Sequence, residues 1–284
     1  MLIFHTIQQL KQHLGLQQAK GRQVGFVPTM GALHAGHLSL ISQSKQEAGF
    51  TVCSIFVNPT QFNDPKDFEK YPVTIKADIE LLLKAGTEVL FLPSIQEIYP
   101  NESAEAEQYE LGFLETVLEG KYRPGHFQGV CQVMHRLLTI VNADHLYMGQ
   151  KDYQQCMVVS HLISTQNIAT KMHIAPTLRE ADGVAMSSRN MRLNEEQRTT
   201  ASAIFQTLNH MKDELQPGEL TNIKERATSF LQSKGFRVDY TELAHADTLA
   251  LLDHWNGTDP VVAVIAAYLG EVRLIDNLVL TAAD

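Results

Sequence analysis

Two histidines three residues apart, His34 and His37 in TMGALHAGH, stand where a short apolar run gives way to a helical pattern. Gly31 permits a turn, and Gly36, lacking a Cβ, lets a ligand approach the backbone. His37 would lie in the first turn of a helix, whose free N–H groups and dipole attract anions. Phosphate binding suits this arrangement, with neutral imidazoles donating N–H bonds to phosphate oxygens. A zinc site is the rival, but two histidines are one short of a catalytic set and no HExxH pattern completes it. A plain pair of loop histidines is the third reading.

Four further stretches carry chemistry of a matching kind. In FVNPTQF, Asn58 and Gln61 are neutral amides able to bond a hydroxyl or carboxylate without adding charge, or else the stretch is an ordinary Asn-Pro turn. In YMGQKDYQQ, Gly149 frees the backbone, Lys151 offers a point charge for phosphate, and Asp152 could bind ribose or orient the lysine. Gln155 follows one helical turn after Lys151; a surface Lys-Asp pair is the bland alternative. In READGVAMSSRN, Ser187, Ser188 and Arg189 could clamp a triphosphate and neutralise charge on leaving pyrophosphate, or simply cap a helix. KYRPGHFQGV, with Arg123 and His126, reads as a mobile segment able to close over a site as a lid. Together the groups complement an anionic organic acid and a nucleoside triphosphate. Walker A, kinase HRD and GxSxG patterns are missing from the sequence, which disfavours ordinary kinase and esterase chemistry.

The elements that must position these groups alternate along the chain. VGFVP, FTVCSIFVN, TEVLFLP and ADHLYMG are short, apolar and partly β-branched, as strands of a parallel sheet buried on both faces are. Helical patterns separate them: HLSLISQSKQEA, Ile75 to Ala85, and VCQVMHRLLTIVN. Four strands with helical crossovers predict an α/β doubly wound sheet whose ligand site lies at the carboxyl ends of its strands. From about Pro176 the texture changes. LNEEQRTTASAIFQTLNHM and NIKERATSFLQSKG read as helices, and FRVDYTELAHA, PVVAVIAAYLG and VRLIDNLVL as strands of a smaller α+β unit. The expected domains are therefore 1–176 and 177–284. NESAEAEQYE is expected to be an exposed acidic loop.

With 23 Lys and Arg against 32 Asp and Glu, the net charge of −9 argues against a broad nucleic-acid or membrane surface. Any phosphate must meet a local cluster of donors. Three cysteines, Cys53, Cys131 and Cys156, form no CxxC pair and fit a reduced, cytoplasmic setting. No apolar stretch reaches the length of about 18 residues that a membrane span needs, and the N-terminus lacks a signal-peptide pattern, so a soluble, unprocessed protein is expected.

PTMGALHAGH, FVNPTQF, RPGHFQGV, GQKDYQQ and AMSSRN, in this order over residues 24 to 192, resemble the pantothenate synthetase (pantoate–β-alanine ligase) family. HxGH alone would point only to the wider nucleotidyltransferase superfamily that includes class I aminoacyl-tRNA synthetases. The resemblance implies a Rossmann-like, HIGH-type fold and a two-step reaction. Pantoate and ATP give pantoyl adenylate and pyrophosphate, then β-alanine gives pantothenate and AMP. It implies ATP contacts by Met30, His34, Gly36, His37, Gly149, Lys151, Asp152, Val184, Met186, Ser187, Ser188 and Arg189. His34, His37 and Lys151 are the implied catalytic residues, and Gln61, Gln155 and Met30 the implied pantoate contacts. Asp78 is the implied contact for a magnesium ion that assists the first step. A homodimer is also implied. Met148 departs from the family where an aromatic residue is expected, and Val184 where leucine is frequent. The rivals are a nucleotidyltransferase that stops after AMP transfer and a non-catalytic nucleotide sensor. A tRNA-charging role is disfavoured, because the acidic chain offers no basic stripe for RNA.

Overall fold

The computed structural model describes residues 1–100 and 107–281. The acidic stretch 101–110 thus lies largely outside the described residues. The chain divides into two compact units, Met1–Gln150 with Gln154–Pro176, and Lys151–Tyr153 with Thr177–Asp284.

In the first unit six strands, β1 Leu2–Phe4, β2 Gln23–Thr29, β3 Gly49–Ile55, β4 Val89–Phe91, β5 His145–Gly149 and β6 Lys171–Ala175, form one sheet in the order β1-β4-β3-β2-β5-β6. Every pairing in it is parallel. Helices connect the strands: α1 Ile7–Gln18, α2 Ala35–Glu47, α3 Pro65–Glu69, α4 Ile75–Ala85, α5 Ile95–Ile98, α6 Leu118–Tyr122, α7 His126–Val141 and α8 Tyr153–Thr165. Strands β3 and β4 are buried along almost their whole length, so their apolar runs need no alternation. One face of the sheet packs Phe26, Val52 and Phe91 against Phe127, Leu137 and Val141 of α7. The other face packs Val27, Cys53 and Leu90 against Leu40 and Ile41 of α2 and Leu82 of α4.

The strand order reverses between β2 and β5, and there the two strands pair only at Gly25 with His145 and Phe26 with Leu146. Pro28, which has no N–H to donate, lies just beyond this pairing. Met148 and Gly149 continue β5 paired with β6 alone. A doubly wound sheet opens its ligand crevice at such a reversal, outside the carboxyl ends of the strands.

The sheet has two strands more than the four expected. Leu2–Phe4 is only three residues long, with Leu2 and Ile3 exposed, and Lys171–Ala175 is a partly exposed edge that mixes charge with apolar side chains. Neither carries the buried apolar signature that marks an inner strand.

In the second unit β8 Arg237–His245, β10 Val261–Leu269 and β11 Val272–Thr281 form an antiparallel sheet in the order β11-β10-β8, and β7 Gly218–Glu219 pairs with β9 His254–Trp255. Leu208 and Met211 of α10 (Ala203–Asp213) and Ile223 and Leu231 of α11 (Thr221–Ser233) share an apolar core with Val261, Ala263 and Ile265 of β10. The single helix expected over 193–211 is two. A short α9, Glu195–Thr200, ends where Thr199, Thr200 and Ser202 turn their hydroxyls back onto carbonyls of the preceding turn.

Candidate active site

The sequence-selected residues fall on both units. Met30, His34, Gly36, His37, Gln61, Asp78, Gly149 and Gln155 belong to the first, and Lys151, Asp152, Val184, Met186, Ser187, Ser188 and Arg189 to the second.

In the first unit, β2 delivers the chain to a tight loop in which Gly31 and Ala32 have φ of 83° and 48°. A non-glycine residue at positive φ is uncommon and has to be held there. Asp78, on the first turn of α4 and only 1% exposed, supplies the hold. Its carboxylate accepts the N–H of Ala32 at 3.0 Å, the N–H of Leu33 at 2.8 Å and the Thr74 hydroxyl at 3.1 Å. Both oxygens of Asp78, the residue expected to contact magnesium, are engaged in shaping the histidine loop. The described residues contain no group of three or more His, Cys, Asp or Glu placed to hold a metal ion.

His34 is the N-cap of α2, in extended backbone. Its N–H donates to Nδ1 of His37 at 3.3 Å, and the two rings lie 4.0 Å apart at 41°. The histidine pair thus sits at the N-terminus of a 13-residue helix, as the glycine-flanked pattern predicts, with Gly36 in its first turn. Gly149 ends β5 beside open space, where a Cβ would meet no atom within 4 Å.

Gln61 is nearly buried and its polarity is fixed by a chain of bonds. Asn58 Nδ2 donates to the Gly129 carbonyl at 3.1 Å, and a carbonyl can only accept, so the amide orientation of Asn58 follows. The same nitrogen donates to Gln61 Oε1 at 3.2 Å, while Asn58 Oδ1 accepts the Tyr99 hydroxyl at 2.8 Å. Gln61 Nε2 is left to donate, and it does so to the sulfur of Met30 at 3.0 Å. Sulfur is a weak acceptor, readily exchanged for a substrate oxygen. Gln155 is half-buried on α8, whereas its neighbour Gln154 is engaged with the carbonyls of Leu114 and Val117 and the N–H of Glu119.

The segment RPGHFQGV, expected as a lid, is packed against NPTQF. His126 opens α7, is buried, and donates from Nδ1 to the Gln61 carbonyl at 2.8 Å; its Nε2 accepts from Arg123 at 3.1 Å. Arg123 also reaches Asn63 and Glu119. A Cβ on Gly129 would lie 2.2 Å from the Thr60 carbonyl oxygen, so the glycine lets α7 pack directly on the backbone of NPTQF. The two motifs are one packed unit. The sequence reading missed Tyr99 and the role of Gly129; no periodicity announces a tyrosine that bonds an asparagine 41 residues away.

In the second unit Lys151 Nζ stands 3.7 Å from Asp152 Oδ1, a loose pair that leaves the ammonium orientable. Arg179 and Ala185 are bridged as the base of a hairpin that runs into Met186 and Ser187. Ser187 caps the turn Ser188–Arg192 by accepting the Arg189 N–H at 3.3 Å, the capping alternative raised from the sequence. Ser188 is buried, Met186 half-buried, and Val184 belongs to the apolar core of this unit.

The sequence model of the family described as Pantoate-beta-alanine ligase matches residues 2–279. The chain belongs to the pantoate–β-alanine ligase family. Curated relatives named pantothenate synthetase include those of Cytophaga hutchinsonii and Bacteroides fragilis. The first is 42% identical, covering 99% of both chains, and the second is 42% identical, covering 98% of both. The crystal structure of pantothenate synthetase from Thermus thermophilus superposes with a TM-score of 0.92 at 38% identity, covering 99% of this chain and 100% of that one. The pantoate–β-alanine ligase of Francisella tularensis, solved with β-γ ATP and β-alanine, has a TM-score of 0.84 at 36% identity, covering 99% and 98%. The ligase family thus accounts for the parallel six-stranded sheet and for the smaller unit with its antiparallel sheet.

Proposed function

We propose that this chain catalyses the ATP-dependent condensation of pantoate with β-alanine to pantothenate, through a pantoyl adenylate. The observation that carries the reading is family membership across residues 2–279, with the five motifs intact in sequence and order. In the first step the pantoate carboxylate attacks the α-phosphorus of ATP and pyrophosphate leaves. Two anions meet there, so the chemistry asks for donors that favour the transition state over the ground state. His34, His37 and Lys151 are the proposed catalytic donors. Met30, Gly36, Gly149, Val184 and Met186 are proposed to line the nucleotide site, Asp152 to hold the ribose, and Ser187, Ser188 and Arg189 to hold the triphosphate. Gln61, Gln155 and Met30 are the proposed contacts for pantoate, and the outward-donating amide of Gln61 supports that role, because it offers N–H to a carboxylate or hydroxyl oxygen. No general base is required, since pantoate is already ionised.

In the second step the unprotonated β-alanine amine attacks the acyl carbon, the bond to the AMP phosphate oxygen breaks, and the nitrogen loses a proton as AMP leaves. Magnesium belongs to this reading as the counter-ion of the ATP substrate. The reading places the enzyme in the cytoplasm as a homodimer. Three buried free cysteines suit a reducing compartment, and burial pushes the thiols of Cys53 and Cys131 up to about 12, which leaves them inert. Sizing with light scattering tests the dimer, which should have twice the 31.8 kDa chain mass. The activity is tested with ATP and pantoate, with and without β-alanine. Pyrophosphate should appear in a burst matching the enzyme concentration without the amine, and AMP should accumulate with it. Continued AMP-free turnover would overturn the proposal.

A further inference from the structure

Strand β11 carries two polar residues in succession, Asp276 and Asn277, which are 4% and 2% exposed within the otherwise apolar run VRLIDNLVL. Consecutive strand residues point to opposite faces, so no single polar face explains the burial of both. Buried polar groups have to be bonded, and each of these is bonded to a different segment of the second unit.

Asp276 holds the hairpin. The Arg179 guanidinium donates Nη1 to Asp276 Oδ2 at 2.6 Å and Nη2 to Oδ1 at 3.1 Å, a two-pronged pairing. Arg179 donates further to the carbonyls of Gly183 and Asn277, and it lies 4.1 Å over the ring of Phe205. The base of the hairpin that leads to Ser187, Ser188 and Arg189 is therefore pinned to β11. Asn277 holds the other segment, donating from Nδ2 to the Lys151 carbonyl at 2.8 Å. Two adjacent residues of one strand thus tether Lys151 and the Ser-Ser-Arg loop, although these are far apart in sequence.

We propose that Asp276 and Asn277 are positioning residues that fix the spacing between Lys151 and Ser187–Arg189 for gripping the polyphosphate of ATP. The inference rests on the phosphate-binding roles proposed above. Both are proposed to act without touching substrate, Asn277 through the Lys151 carbonyl and Asp276 through the Arg179 guanidinium at the base of the hairpin. A lysine ammonium swings on a flexible four-carbon stem, so its reach is set by where the main chain starts it. A misplacement of about 1 Å is enough to cost about 10²-fold in rate.

The test is a double-mutant cycle on the full chain, reading pyrophosphate release in a single turnover with ATP and pantoate. Asn277→Ala should slow that step about tenfold and raise KM for ATP while leaving KM for pantoate unchanged. Asn277→Asp, which keeps the shape but loses the amide donor, should give the same loss. In a Lys151→Ala background either change should slow the step less than about twofold, because its effect passes through Lys151. The same factor in both backgrounds, or equal rises in both KM values, would overturn the inference while leaving the proposed activity intact. A Lys151→Ala chain with unaltered pyrophosphate release would instead overturn the role of Lys151 and the inference with it.

Discussion

The backbone N–H of His34 donates to Nδ1 of His37. A ring nitrogen that accepts carries no proton, so neutral His37 keeps its hydrogen on Nε2. A helix terminus that would otherwise leave N–H groups unmet thus sets the tautomer of a candidate catalytic residue.

The two ring nitrogens of His37 can be separated by substitution. Asparagine places an acceptor near the position of Nδ1, and glutamine reaches toward Nε2. If Nε2–H serves the nucleotide, His37→Gln should release pyrophosphate about 10²-fold faster than His37→Asn, in line with the loss of one electrostatic donor. Equal rates for the two variants would count against this division of labour.

Asp78 predicts a stability effect without a metal effect. Replacing it with Asn turns an amide toward the N–H groups of Ala32 and Leu33 and should cost about 1–3 kcal/mol, seen as a lowered Tm. The magnesium concentration that gives half-maximal activity should match that of the parent protein. A large rise in that concentration would restore Asp78 as a metal ligand.

Gly129→Ala forces a methyl group toward the Thr60 carbonyl. Overpacking of this kind costs about 1–3 kcal/mol, or about 2–4 °C in Tm per kcal/mol. Because the same backbone carries Gln61, KM for pantoate should rise more than KM for ATP, measured by steady-state kinetics. An unmoved pantoate KM would detach the α7 contact from the site.

A pH effect is expected at the opposite end of the sheet. His173 bonds Glu47 through Nδ1 at 3.1 Å and His145 through Nε2 at 3.0 Å, and it stacks on Tyr147. Burial holds His173 below the ordinary histidine value of 6.5; Glu47 opposes that shift, while His145 and Lys171 add to it. The unfolded chain therefore takes up a proton first as pH falls, so the contribution of this group is present above 6.5 and is lost below it. Tm should decline between about pH 7.5 and about pH 5.5, and His173→Gln should flatten the decline. Parallel slopes for the two proteins would remove His173 as the cause.

How much of this is legible in the sequence depends on range. The run from Val24 through Glu47 is readable because an apolar strand, a glycine loop and a helix are local patterns, and the Ile75–Ala85 helix has its expected bounds for the same reason. The partners of Asp78, Asn58, His126 and Asn277 are not readable, since each bonds a segment remote in sequence and residue type does not encode its partner. A buried carboxylate that shapes a loop has the same letter as one that binds a cation, so the letter at Asp78 does not separate the two roles. The packing of RPGHFQGV on NPTQF is likewise hidden, because glycine and proline mark turns and tight packing alike.

The parting of β2 from β5 after Phe26 and Leu146 has a consequence for any guest at the carboxyl end of the sheet. The ladder there is already unzipped, so a molecule entering the wedge separates no paired strands. On the proposed reading, a ligand of the first unit would then need only side-chain adjustment, such as Gln61 leaving the Met30 sulfur.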